Sequence, residues 1–214
     1  MPPFVIVNCA MSADGKIALC SRRQTRISSD EDIARVHRLR NSCDAILVGI
    51  ETVLADDPSL LVNERFVKRP RQPLRIVLDS HGRTPAGAKV TSPGVPTLIA
   101  LAKSTVPGQW GDNVETVVLG DMDRVSIPLL LKELDGRNVK RLLVEGGSEV
   151  IWSFLNERAV DRLMIYVGSL VLGGNGPTPA CGAGAPGLEQ APRLRLCRSH
   201  RLGDGILLVY EPRR

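Results

Sequence analysis

The chain has 214 residues, 43% hydrophobic and 24% charged, which is enough for a substantial core in one α/β domain spanning 1–214. A net charge of +5 suits anionic ligands, but 3% aromatic residues is too few for a base-stacking platform, so phosphorylated small molecules are favoured over nucleic acid. No apolar run approaches the roughly 18 residues of a membrane span, the Met1-Pro2-Pro3-Phe4 start does not read as a signal peptide, and Cys9, Cys20, Cys43, Cys181 and Cys197 form no C-x-x-C pair, so the expectation is a cytoplasmic protein with no zinc site and no disulfide scaffold.

Taken in chain order, residues 4–10 are apolar and β-branched and predict a buried strand, ended by the turn Ser12-Ala13-Asp14-Gly15. Ser28-Ser29 before Asp30-Glu31-Asp32 is a helix start, with the helix running to about Asn41 and Ile33, Val36 and Arg40 on one face. A second buried strand is expected at 45–49, then a short helical turn at 52–54 closed by Asp57-Pro58. Further strands are expected at 74–79, 97–101 and 114–119, and an amphipathic helix from Ser126 to Asp135 ends at Gly136. A sixth strand at 141–145 runs into Gly146-Gly147, and Ser148 is the expected cap of a helix that turns Ile151, Phe154 and Leu155 to the core. A long strand is predicted over 163–172, a Gly/Pro/Ala-rich loop over 173–187, and an antiparallel pair at 194–197 and 205–210. Strands alternating with helices imply an α/β fold with a mixed, mostly parallel central sheet flanked by helices.

Two glycine motifs carry different weight. Gly182-Ala183-Gly184-Ala185-Pro186-Gly187 matches G-x-G-x-x-G, but no strand leads into it and Pro186 sits where a helix would open, so it reads as a loop rather than a dinucleotide fingerprint. In contrast, Val144-Glu145-Gly146-Gly147-Ser148 delivers glycines from a strand to a helix start, where backbone N–H groups favour phosphate; a simple tight turn fits the same pattern. Thr52 and Asp56, four apart after a buried strand, lie where α/β sheets bind ligands, although Thr52 as a cap and Asp57 as a turn residue fit too. Arg40 fits either a snorkelling side chain or a phosphate contact. His37 and His81 read as ordinary surface residues, and no Ser-His-Asp or metal-ligand spacing appears.

The segments Asn8-x-Ala10-x-Ser12-x-Asp14-Gly15-Lys16-Ile17, Ile27-Ser28-Ser29, Leu39-Arg40, Thr52-Val53-Leu54-Ala55-Asp56-Asp57-Pro58-Ser59-Leu60, Arg75-Ile76-Val77-Leu78-Asp79-Ser80 and Val144-Glu145-Gly146-Gly147-Ser148 occur in one order and spacing. In this combination the chain resembles the reductase family of riboflavin biosynthesis across nearly its whole length. It lacks the H-x-E and P-C-x-x-C zinc signature of the deaminase fused to bacterial members. Where those members usually carry Lys and Arg it has Asn8 and Asn63, which places it nearer the stand-alone archaeal and fungal type.

The resemblance implies a dihydrofolate-reductase-like fold, a homodimer, and hydride transfer from NADPH, or NADH in its place, to C1′ of a phosphorylated ribosylaminopyrimidine. It implies cofactor contacts at Ala10, Thr52, Asp56, Ser80, Gly146, Gly147 and Ser148, and a substrate pocket at Arg40, Leu60, Asn63 and Glu145. Glu145 is the acid where both ligands would meet, either orienting the ribose hydroxyls or steadying a developing iminium charge. Arg83 and Lys103, each past a strand end, are candidates for the cofactor 2′-phosphate. The rival readings are a pterin reductase, which would want an acid from the first helix, where Asp30, Glu31 and Asp32 lie at the N-terminus, and a nucleotide-binding module without turnover.

Overall fold

The computed structural model describes residues 1–21, 25–103, 110–120 and 123–213. Nine strands form one sheet in the order β5-β4-β3-β2-β6-β1-β7-β9-β8. The first seven in that order, β5 (Val114–Val118), β4 (Thr97–Leu101), β3 (Leu74–Leu78), β2 (Ala45–Gly49), β6 (Arg141–Gly146), β1 (Phe4–Ser12) and β7 (Arg162–Gly168), pair in parallel. β9 (Gly205–Pro212) and β8 (Leu194–Leu202) add an antiparallel end.

Alternating side chains divide the core into two layers. Val5 and Val7 of β1, Leu47 of β2 and Leu142 and Val144 of β6 pack with Ile127, Leu130 and Leu134 of α3 (Ile127–Gly136) and Ile151 and Phe154 of α4 (Ser148–Asn156). Ile6, Ile46, Val48 and Leu143 face the other way, toward Leu39 of α1 (Asp30–Asn41) and Ile50 and Val53 of α2 (Ile50–Asp56). α1 starts as its sequence directs, with the Ser29 side chain accepting from the Asp32 N–H and three acids in the first turn. Arg75 of β3 is fully enclosed and donates to the carbonyls of Lys89, Ser92 and Val95, tying the 89–95 connection to the sheet.

Two expectations are corrected. The strand expected over 163–172 ends at Gly168, where the chain turns: Leu170 N–H donates to Gly168 O and Leu170 O accepts from Ala13 N–H; Gly168 itself leaves no room for a Cβ, which would lie 2.6 Å from the Ile27 carbonyl oxygen. This strand lies inside the sheet, between β1 and β9; the edge beyond them is β8, a largely exposed strand carrying Arg195, Arg198 and Arg201. Ser148 does not cap α4: Gly147 is the cap residue, and the Ser148 hydroxyl lies 2.9 Å from the Cys181 sulfur. Among the described residues no helix is long and apolar enough to cross a membrane.

Candidate active site

β2 and β6 are neighbours whose carboxyl ends feed α2 and α4, which lie on opposite faces of the sheet, and a ligand crevice is expected there. The two strands fall out of register at Leu47/Val48, and β6 ends in the cis peptide Gly146-Gly147, with Gly146 at φ +129°. Side chains would block the crevice: a Cβ on Gly49 would lie 2.7 Å from Val150 Cγ2, and one on Gly147 3.2 Å from Thr52 Oγ1. No side chain caps α4 at Gly147, so its first N–H groups are open to an anion.

A cleft of about 530 Å³ opens over these ends. Thr52, Asp56, Ser80, Gly147 and Ser148, five of the seven expected cofactor residues, line it together. Gly146 adjoins through its peptide to Gly147, while Ala10 is half-buried on β1 and does not line the cleft. Burial pushes the Asp56 carboxyl above its ordinary pKa. Arg83 also lines the cleft, paired with Glu51 at 2.6 Å, whereas Lys103 is exposed and does not line it. Arg124, 3.6 Å from Glu149, is a second cation at the cleft that sequence reasoning missed; as a loop residue it carried no pattern.

A second cavity, also about 530 Å³, is lined by His37, Arg40, Pro58, Ser59, Leu60, Leu61, Val62 and Asn63. It brings together three of the four expected substrate residues, and the fourth, Glu145, reaches it through Arg40. Arg40 Nε and Nη2 donate to the two Glu145 carboxylate oxygens at 2.9 and 2.6 Å, and Nη1 donates to Leu61 O at 3.1 Å. The two side chains are 17% and 10% exposed, so the pair is largely withdrawn from water. Burial alone would lower the Arg40 pKa, but the Glu145 charge and hydrogen bonds carry it above its usual value. Leu60 holds a left-handed φ of +57° with its side chain buried, a strained backbone fixed by packing.

Gly182 to Gly187 lies in a loop with no strand leading in and no helix leading out, so the fingerprint match has no structural counterpart. At the start of α1, Asp32 is buried against Arg35 at 2.7 Å and accepts from Ser28 Oγ, and it lines neither cavity. Asp32 is therefore committed to a structural network, and Asp30 and Glu31, the other acids of this first turn, line neither cavity.

The family model of the RibD C-terminal domain matches residues 3–208. The chain belongs to this family. Within the RibD C-terminal domain family it is 40% identical over 214 residues, 98% of each chain, to the 2,5-diamino-6-ribosylamino-4(3H)-pyrimidinone 5′-phosphate reductase of Methanothermobacter thermautotrophicus. It is 39% identical, again over 98% of each chain, to the protein of that name from Archaeoglobus fulgidus. Among solved structures, a Thermotoga maritima diaminohydroxyphosphoribosylaminopyrimidine deaminase/5-amino-6-(5-phosphoribosylamino)uracil reductase aligns with a TM-score of 0.83 at 26% identity, covering 99% of this chain and 57% of that one. The dihydrofolate-reductase-like fold of the RibD reductase region is thus the fold of this α/β chain, whose family consists of reductases in riboflavin biosynthesis.

Proposed function

We propose that the protein reduces the ribosylamino side chain of 2,5-diamino-6-ribosylamino-4(3H)-pyrimidinone 5′-phosphate to the ribitylamino product, with NADPH as the preferred donor over NADH. The observation that carries this reading is the pair of cavities joined by one short segment. Glu145 reaches the Arg40 cavity, and Gly147, two residues on, lines the glycine-bordered cleft at the α4 N-terminus.

The cleft fits a dinucleotide, since the glycine cradle and the uncapped N–H groups suit a pyrophosphate. Thr52, Asp56, Ser80, Gly146, Gly147 and Ser148 would hold it, with Arg83 and Arg124 available to a 2′-phosphate. When bound, the nicotinamide supplies a hydride. The protein's own part is alignment and charge. Arg40 uses three of its five N–H donors on Glu145 and Leu61, leaving two to face the substrate phosphate. The Glu145 carboxylate, held rigid by that fork, would steady the iminium charge formed when the opened imine nitrogen takes a proton from solvent, a charge that hydride addition at C1′ would then neutralise. Leu60 and Asn63 border the same pocket.

The reading extends to a single-domain cytoplasmic homodimer. Leu196, Ile206, Leu208 and Tyr210 of the antiparallel end share one face with Val167, and Leu196 and Ile206 are 52% and 38% exposed, an apolar surface suited to a two-fold contact. Light scattering across a wide concentration range tests the dimer; a monomer mass throughout, in active enzyme, removes it.

The deciding assay incubates purified protein with this pyrimidine, its deaminated counterpart and dihydrofolate, each with NADPH and with NADH, and follows nicotinamide oxidation. Turnover of the diamino pyrimidine with NADPH is expected. Oxidation only with dihydrofolate, or none with any substrate, refutes the proposal.

A further inference from the structure

His37 lines the Arg40 cavity but was expected to be an ordinary surface residue. Its ring stacks on Phe66 with centroids 4.7 Å apart and planes 11° from parallel, and Arg65 lies 5.6 Å from the far ring. Nδ1 accepts the Asn63 backbone N–H at 3.2 Å. An imidazole that accepts at Nδ1 carries its proton on Nε2, so this contact fixes the tautomer as well as the ring plane. Burial, and then the Arg40 charge, lower the His37 pKa, in keeping with a neutral ring.

Arg40 and His37 lie three residues apart on α1, a spacing that places both on one face beside the 58–63 segment. Arg40 brings charge, but much of it is spent on Glu145. A phosphate ester there needs further directional donors. The main chain offers few, because Leu61 N–H is directed to Ser59 Oγ, Val62 N–H to Gln72 Oε1 and Asn63 N–H to His37 itself.

We infer that His37, held as the Nε2–H tautomer by the Asn63 backbone and Phe66, donates a hydrogen bond to the terminal phosphate of the substrate beside Arg40. The inference rests on the proposed reading that this cavity takes the phosphate. Arg40 supplies the charge; His37 supplies direction and tells a phosphate monoester from an uncharged ribose end. It makes no demand on the cofactor cleft.

Two isosteric changes separate this role from a structural one. His37→Asn puts an amide oxygen near Nδ1, keeping the Asn63 contact, but has no donor at the Nε2 position. His37→Gln reaches the Nε2 position with an amide N–H. Steady-state kinetics are measured for both with the phosphorylated substrate and with its dephosphorylated riboside, and inorganic phosphate is tested as a competitor. His37→Asn is expected to raise the KM of the phosphorylated substrate about ten- to a hundredfold, the weight of a hydrogen bond to a charged group. Its KM for the riboside and for NADPH should stay at wild type, and His37→Gln should recover most of the loss.

Equal losses on phosphorylated and dephosphorylated substrate, or no loss on either, overturn the role of His37 while leaving the phosphate site standing if phosphate still competes in wild type. If phosphate does not compete and removing the substrate phosphate leaves the wild-type KM unchanged, the cavity binds no phosphate and the underlying reading falls with the inference.

Discussion

Replacing Arg40 by Ala would leave the Glu145 carboxylate in a site where it is only 10% exposed, without its two charge-assisted hydrogen bonds, and would also leave Leu61 O without its donor. Removing one partner of a buried pair costs about 3–5 kcal/mol, because the remaining charge stays desolvated. For a chain of this size, where 1 kcal/mol moves Tm by roughly 2–4 °C, the expected fall is about 6–20 °C. Arg40→Met combined with Glu145→Met removes both charges and their shared desolvation cost, and should lie within about 1–2 kcal/mol of wild type. Urea unfolding followed by circular dichroism measures these variants, and Arg40→Met and Glu145→Met made singly close the double-mutant cycle. A single variant costing under about 1 kcal/mol, or a double variant as unstable as Arg40→Ala, would refute the claim that the pair is held out of water.

Burial raises the Asp56 pKa, so its ionised form opposes folding at neutral pH; Asp56→Ala should keep or raise Tm while NADPH-dependent turnover collapses, and unchanged kcat and cofactor KM would remove Asp56 from the site. Acid should act in the opposite direction. The Ser12 hydroxyl holds Asp14 at about 2, Arg137 holds Glu115 low, and backbone N–H groups of Lys140 and Arg141 overcome burial to hold Asp44 low. These folded-state values lie below the unfolded ones, so their stabilisation is present above the unfolded carboxylate range and lost as protons bind; Tm should be flat above about pH 5 and fall between about 4 and 2. A Tm that rises on acidification would contradict the sign. Brief N-ethylmaleimide treatment with mass spectrometry should label exposed Cys20 and Cys197 first and spare buried Cys9, whose thiol burial pushes up to about 12, and Cys43. Cys181, against Ser148 in the cleft, should be labelled more slowly with NADPH present; equal rates with and without it would argue against cofactor at the α4 N-terminus.

Local patterns sufficed for most elements, since apolar runs, Ser29, Ser126 and the glycines act within a few residues of themselves. They led to the strands at 45–49, 97–101 and 205–210 and to the helix from Asp30 to Asn41. They did not carry the pairing order, because nothing within 141–146 states that this strand enters between β2 and β1. The same limit governed the site. Thr52 and Asp56 stand out because both belong to one polar turn after a strand, whereas the Arg40–Glu145 pair joins residues 105 apart and has no local signature. Ser148 was misread as a cap because Gly147, which has no side chain to cap with, occupies that position. His37 was passed over because one histidine on a charged helix looks solvated until Asn63 and Phe66 fold back over it.

The place of β1 also shapes how the chain is made. Its partners are β6, beginning at Arg141, and β7, ending at Gly168, both made well after it. At roughly 5–20 residues per second, the ribosome needs on the order of 10–30 s to deliver those partners after β1 has formed. Until β6 emerges Val5, Ile6 and Val7 belong to a strand with two unfilled edges, and until β7 follows one edge stays open, while β2, β3, β4 and β5 can already assemble beside one another. This interior strand, beside the β6 strand that carries Glu145, is therefore enclosed long after it is made, and the nascent chain depends on remaining soluble with its sheet open in the middle.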